Sequence, residues 1–236
     1  MKIDDIKKLQ QRKYRQQLGH YLVEGEHLIQ ELEKTQLANV QLMVTEKYQD
    51  WPTRFHKTLI GEKNMAALSD TKTPQGIVAV VPLPNTQPRP ARQGEQAIYL
   101  HQVQDPGNLG TILRTLGWFG HFRCLLSPGS VDPFNPKVVR SSMGAIFHVA
   151  IEQDVSLDSL TERYPKVACL DMNGKKLSDS TIREFDAYVF GNEARGIPRE
   201  ALAEIAAVPY SITGSGKIES LNLASVVNMV AYELNR

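Results

Sequence analysis

At 236 residues the chain exceeds the usual single-domain size of ~100–150, so one large or two small domains are expected. A composition of 42% hydrophobic and 22% charged residues is that of a core-forming globular protein and excludes disorder as the main state. The formal net charge of +1 argues neither for nor against nucleic acid, and Cys124 and Cys169, with no CxxC spacing, exclude a disulfide scaffold or a cysteine zinc site. No apolar run approaches the ~18 residues of a membrane span. Asp4 and Asp5, in an amino terminus without an apolar segment, argue against a targeting peptide. The expectation is a soluble cytoplasmic protein.

Hydrophobic periodicity predicts a helix over residues 2–17, with Ile3, Ile6 and Leu9 on one side. A strand at 21–23, a helix carrying Leu28, Ile29 and Leu32, a strand at 40–44 and a helix near 47–55 follow. A strand near 58–60, a short helix over 65–68 and a strand at 77–81 close the first half. Residues 82–94, with four prolines and little to bury, read as a linker or extended crossover. Beyond it, strands are predicted near 97–100, 122–126, 147–151, 167–170, 187–190 and 208–212. Helices fall between them near 109–119, 136–142, 157–163 and 199–205, and a last helix spans 221–234. Strands separated by helices imply an α/β fold whose sheet is largely parallel, with ligands beyond the carboxyl ends of the strands.

The even average charge hides a division. Residues 1–94 hold 14 basic and 10 acidic groups, whereas residues 95–236 hold 13 and 16. Much of the excess is local, because Lys2, Lys7, Lys8, Arg12, Lys13 and Arg15 face only two acids within residues 1–17. A basic arm on a small domain suits a polyanion; the bland alternative is a solvated helix face.

Several chemistries find no motif. There is no GxGxxG after a strand and no GxSxG elbow, and Gly214-Ser215-Gly216-Lys217 lacks the rest of a phosphate loop. The histidines at 20, 27, 56, 101, 121 and 148 show no metal-ligand pairing, so no metal is expected. What remains are three polar, glycine-bearing segments, each after a predicted strand. The first runs Gln104-Asp105-Pro106-Gly107-Asn108-Leu109-Gly110 into a helix with Arg114, and Asn108 is a good helix cap. The second is Gly191-Asn192-Glu193-Ala194-Arg195-Gly196-Ile197-Pro198, and the third runs from Ile212 through Gly214, Gly216 and Glu219-Ser220-Leu221-Asn222. Singly, each is most simply a turn and a cap, with Ser220 available to cap the last helix.

Together and in this order they resemble the three signature motifs of SpoU-type (TrmH-like) RNA ribose 2'-O-methyltransferases of the SPOUT superfamily, over essentially the whole chain. Residues 1–82 resemble the small RNA-binding domain often attached to these enzymes, residues 83–94 a linker, and residues 95–236 the methyltransferase domain. The departures are Thr213-Gly214, where many members carry Pro-Met, and His101, where an acid is common. The resemblance implies a trefoil knot in the carboxyl-terminal part and S-adenosylmethionine held by Gly191, Asn192, Gly196, Ile212, Gly216 and Leu221. It implies methyl transfer to a ribose 2'-hydroxyl, ribosomal RNA being favoured over transfer RNA, with Arg114, Asn108, Glu193, Ser220 and Asn222 at the reacting centre. An arginine stays protonated, so Arg114 suits a fixed cation that orients the hydroxyl better than it suits a base. Lys137 and Arg140, like Lys7, Lys8, Arg12 and Lys13, are candidate RNA contacts, and Arg140 resembles an arginine that family dimers present to substrate phosphate. A homodimer through the last helix and the helix bearing Trp118 and Phe119 is implied as well. A non-catalytic RNA-binding protein that keeps the fold is the alternative from another class.

Overall fold

A computed structural model describes residues 1–218 and 220–236; Glu219 lies outside the described residues. The chain forms two compact units, the first comprising Met1–Asn85 and Asp132–Phe147 and the second Thr86–Val131 and His148–Arg236.

The first unit runs α1 (Ile3–Lys8), α2 (Arg12–Leu18), β1 (His20–Glu24), α3 (Glu26–Glu33), β2 (Gln41–Val44), β3 (His56–Leu59), α4 (Glu62–Leu68) and β4 (Ile77–Pro82). Its sheet has the order β1-β4-β2-β3, with β4 antiparallel to both neighbours and only β2 and β3 parallel. The parallel expectation therefore fails for this unit. Ile6, Leu9, Leu22, Met43, Met65, Leu68, Val78 and Val80 form its core.

Two further differences have visible causes. The single helix expected over 2–17 is broken, because the Leu9 and Gln10 carbonyls accept from Arg15 Nη1 at 2.8 and 2.9 Å. Arg15 is buried, and its Nε donates to Asp132 at 2.9 Å, so it belongs to the interior and not to a basic arm. That ion pair draws the segment containing α6 (Pro136–Ser141) into the first unit. The helix expected near 47–55 is one short turn at Glu46–Tyr48. Pro52 brings no N–H and pushes Trp51 toward extended backbone, and Lys57 Nζ takes up the Trp51 carbonyl at 2.8 Å.

The second unit contains β5 (Gln96–Leu100), α5 (Pro106–Phe119), β6 (Phe122–Leu126), β7 (Ala150–Glu152), α7 (Leu160–Arg163), β8 (Val167–Lys176), β9 (Ala187–Phe190), α8 (Arg199–Glu204), β10 (Val208–Ser211) and α9 (Leu223–Leu234). Its sheet has the order β10-β8-β9-β5-β6-β7, and every neighbouring pair is parallel. β6 and β9 are buried along their whole length, as the strands of a parallel sheet covered on both faces must be. Helix α5 starts at an Asp105 cap with Pro106 in its first turn and buries Leu109, Ile112, Leu113 and Leu116 on one stripe. Each such side chain contributes roughly 1.5–3 kcal/mol relative to exposure. At Gly174 in β8 a Cβ would stand 2.5 Å from the Pro209 and Tyr210 backbone, so only glycine fits where β10 approaches. Among the described residues no helix is long and apolar enough to cross a membrane.

Beyond Pro82, the last residue of β4, the proline-rich stretch carries no helix or strand, yet it is held. Arg123, fully buried in β6, donates from Nη1 to Glu152 and to the Arg89 carbonyl, both at 2.6 Å, and from Nη2 to the Pro90 carbonyl at 2.9 Å and to Glu95. Arg163 completes the cluster with Glu152 at 2.7 Å. Burial alone would raise the Glu95 carboxyl, but the Arg92 backbone N–H and the Arg123 and Arg89 guanidiniums hold it below the usual carboxylate range. Removing one member of a buried ion pair costs about 3–5 kcal/mol because the partner charge stays behind. Arg123→Met should therefore lower the urea midpoint by a matching amount; unfolding at the wild-type midpoint would show that the cluster stabilises nothing.

Candidate functional site

Strands β5, β6 and β7 step outward in one direction, while β9 lies on the other side of β5. Strand order therefore reverses between β5 and β9, and the loops leaving their carboxyl ends part to form a crevice, the position where open parallel sheets bind ligands. An open cleft of about 450 Å³ lies there, walled by Gln104, Asp105 and Asn108 after β5 and by Asn192, Glu193 and Ala194 after β9. Ser220, Leu221, Asn222 and Leu223, at the start of α9, form the third wall.

The cap of α5 is Asp105, whose carboxylate accepts from the Asn108 N–H at 2.7 Å, and not Asn108 as the sequence suggests. Likewise Asn222, and not Ser220, caps α9, its Oδ1 accepting from the Ala224 and Ser225 N–H groups at 2.9 and 3.3 Å. These two exchanges of cap matter for the side chains beyond them. With Oδ1 committed to helix amides, Asn222 presents its Nδ2, which donates to Asn108 Oδ1 at 2.9 Å. Asn108 must then present Nδ2 to its other neighbour, and it donates to Glu193 Oε1 at 3.2 Å. The relay Asn222→Asn108→Glu193 joins all three motifs and, among the described residues, leaves one Asn108 N–H and one Glu193 oxygen for a ligand.

The second loop is shaped by Asn192. Its buried side chain donates to the Gln102 carbonyl at 2.7 Å and accepts from the Ala194 and Arg195 N–H groups, while its backbone pairs in both directions with Gly196. A Cβ on Gly191 would stand 2.7 Å from the Gly196 backbone, which explains the glycine. Nearby, burial and then the Arg195 guanidinium hold the His101 imidazole below the usual histidine value, and its Nδ1 finds no partner among the described residues.

Of the residues expected at the site, Asn108, Glu193, Ser220, Asn222, Asn192 and Leu221 meet at the cleft. Gly191 and Gly196 shape the loop behind it. Ile212 is half-buried beyond β10 and Gly216 is exposed with φ of 75°; neither lines the cleft. Nor does Arg114, which lies on the exposed stripe of α5 with Thr111 and Trp118. Arg140, expected to face phosphate, donates from both Nη atoms to Asp70 Oδ2 at 3.2 Å within the first unit, where Lys137 is exposed beside it on α6. Lys7 and Lys8 pair with Asp4 and Asp5, whereas Arg12 and Lys13 are exposed, and Lys8 and Lys13 each stand 5.9 Å from the Tyr14 ring. Four residues of the cleft, Gln104, Asp105, Ala194 and Leu223, have no expected role in the sequence; the Asp-Pro pair before a helix is the signal of Asp105. No group of three His, Cys, Asp or Glu side chains fit for a metal occurs among the described residues.

Comparison with known proteins agrees with this geometry. Residues 95–232 match the model of the SpoU rRNA Methylase family, and residues 1–79 match the MRM3-like substrate binding domain. The 23S rRNA (guanosine(2553)-2'-O)-methyltransferase RlmP of Bacillus subtilis is 32% identical over 99% of this chain and 95% of its own. A solved TrmH-family protein of Porphyromonas gingivalis superposes with a TM-score of 0.86 at 32% identity, over 99% of this chain and 96% of that one. An AdoMet-bound rRNA methyltransferase of Sinorhizobium meliloti superposes with a TM-score of 0.81 at 25% identity, over 98% and 93% of the two chains. A relay built from three separate motifs, on a sheet shared with these enzymes and under a family model covering more than half the sequence, has one meaning: this chain belongs to the SpoU rRNA methylase family.

Proposed function

We propose that this protein transfers the methyl group of S-adenosylmethionine to a ribose 2'-hydroxyl of ribosomal RNA, in the cytoplasm and as a homodimer. The Asn222→Asn108→Glu193 relay at the cleft carries the reading, since it presents a donor and an acceptor side by side to an incoming hydroxyl. The name of the Bacillus relative and the cofactor in the Sinorhizobium structure support the substrate and the methyl donor. A cleft of about 450 Å³ lies within the range of small-molecule sites, and its walls offer a mixed surface of amides, carboxylates, Ala194, Leu221 and Leu223. The residues would fit the cofactor, with Asn192 and Leu221 lining its cleft and Gly191 and Gly196 shaping the loop behind; Ile212 and Gly216, outside the cleft wall, would have to reach it from the third segment. The knot expected of the carboxyl-terminal segment belongs to the same proposal.

When bound, the cofactor supplies an electrophilic methyl group on a sulfonium. This chain's own work is to align the hydroxyl and to manage its proton. Asn108 donates to the ribose oxygen, and Glu193, held by that same side chain, accepts from the hydroxyl. Arg114 adds a permanent cation that favours the developing alkoxide. Arg114 does not line the cleft of its own chain, and on this reading it serves that of a second copy. Trp118 at 84% exposure and Tyr232 at 61%, on the packed pair α5 and α9, give the apolar face such a dimer would bury.

Calorimetry with S-adenosylmethionine and mapping of 2'-O-methyls in ribosomal RNA test the function directly; no heat, or methyls confined to transfer RNA, would overturn it. Arg114→Lys should abolish transfer while leaving cofactor affinity nearly intact, since lysine keeps charge but loses the planar fork; a wild-type single-turnover rate would make Arg114 structural. Sharing of the site predicts complementation. Arg114→Ala mixed with Glu193→Ala regains activity in the heterodimer, where one cleft has both groups, whereas a site within one chain stays dead in every combination. Sedimentation at micromolar concentration should show a dimer, with an interface of roughly 1,200 Å² or more. Neutralising Lys7, Lys8, Arg12 and Lys13 together should flatten the slope of log K for RNA against log salt by about 0.7–0.9 for every phosphate the arm no longer neutralises. An unchanged slope would reduce the basic arm to a solvated face.

A further inference from the structure

Between the end of β5 and the cap of α5 the chain makes an abrupt turn, and Gln102 makes it in the left-handed region, with φ of 51°. Residues other than glycine rarely adopt that conformation, and asparagine tolerates it better than most. Here it turns the backbone groups of Gln102 toward two neighbouring loops. Its N–H donates to Ser127 Oγ, after β6, at 2.7 Å. Its carbonyl accepts from Asn192 Nδ2, after β9, at 2.7 Å and from Gln104 Nε2 at 3.1 Å. Gln104 Nε2 also reaches the Gly129 carbonyl at 2.7 Å. By contrast, among the described residues the Gln102 side chain makes a single, long hydrogen bond, accepting from Arg195 Nη2 at 3.4 Å.

We propose that Gln102 is a positioning residue for the cleft, acting through its left-handed backbone and not through its amide side chain. Its carbonyl holds Asn192, Asn192 folds the turn that presents Glu193, and Glu193 receives the Asn108 amide. The loops after β9, β5 and β6 are thereby set in one frame before any ligand arrives, which is the condition for a preorganised site. Strain of this kind, retained beside a cleft, is expected where the surrounding hydrogen bonds over-determine the conformation. The proposal rests on the methyl-transfer reading of the same cleft.

The test is a series at position 102 ranked by tolerance of the left-handed region: Gln102→Gly, Gln102→Asn, Gln102→Ala and Gln102→Val. Cofactor affinity is read by calorimetry and methyl transfer by single turnover. Valine, branched at Cβ, should fall on the order of tenfold or more below glycine in both readouts, with asparagine near glycine and alanine between. Should the valine variant fail to fold, alanine against glycine carries the same comparison. Coupling separates positioning from mere stability. In an Asn192→Ala background, where the link is already cut, Gln102→Ala should cost little more in transfer rate, whereas a general loss of stability would add in full. Glycine as damaging as valine would assign the role to the side chain and overturn the proposal, as would a series indistinguishable from wild type. Absence of cofactor heat with the wild-type protein would instead remove the functional reading, and this proposal with it.

Discussion

Asn222 has two hydrogen-bonding ends, and the last helix takes one of them. Its Oδ1 satisfies two amides at the start of α9, so only its Nδ2 can face the cleft. From that point the polarity of the site follows by elimination, because Asn108 must accept on one side and donate on the other, and Glu193 must accept. A helix cap, ordinarily worth about 1 kcal/mol, thus sets the direction of a chain of side chains drawn from three distant segments. The same economy appears at α5, where Asp105 takes the capping duty and releases Asn108 for the relay.

Much of the second unit was legible in the sequence. Strands β5, β6 and β9 are short, mainly apolar runs without alternation, at the lengths a covered parallel sheet requires, whereas the polar second half of β8 gave no such signal; the motifs follow as turns rich in glycine and asparagine. The identity of the capping residues was not legible. Asn108 and Asp105 are both good caps by type, and so are Ser220 and Asn222; which one faces the helix depends on tertiary partners that local pattern does not contain. The first unit was read less well for a similar reason. Its strands have the right composition, but β4 runs antiparallel to both neighbours, and direction is decided by connections and not by propensity.

Charge was the least reliable guide. Arg15 counts in the sequence as part of a basic arm, yet its guanidinium is buried against two carbonyls and Asp132. Arg123 sits in the middle of an apolar strand, where an ionised group is expected only with partners, and those partners come from 28 and 29 positions away. A side chain carries the same charge on a solvated face and in an ion pair, so a count of lysines and arginines bounds the polyanion question without answering it.

The pairing of Arg15 with Asp132 spans 117 positions, and it has a consequence for how the chain is made. A nascent chain that has delivered residues 1–85 has emitted every strand of its first sheet but not the segment Asp132–Phe147 that packs with it. Until β5, α5 and β6 have also emerged, the Leu9 and Gln10 carbonyls can be capped, but Arg15 remains without its carboxylate. The amino-terminal unit therefore cannot finish folding on a first-out, first-done schedule. Its completion is timed by synthesis of residues 86–131 of the second unit, so a ribosome that stalls there leaves the Arg15 cation waiting for its counter-ion.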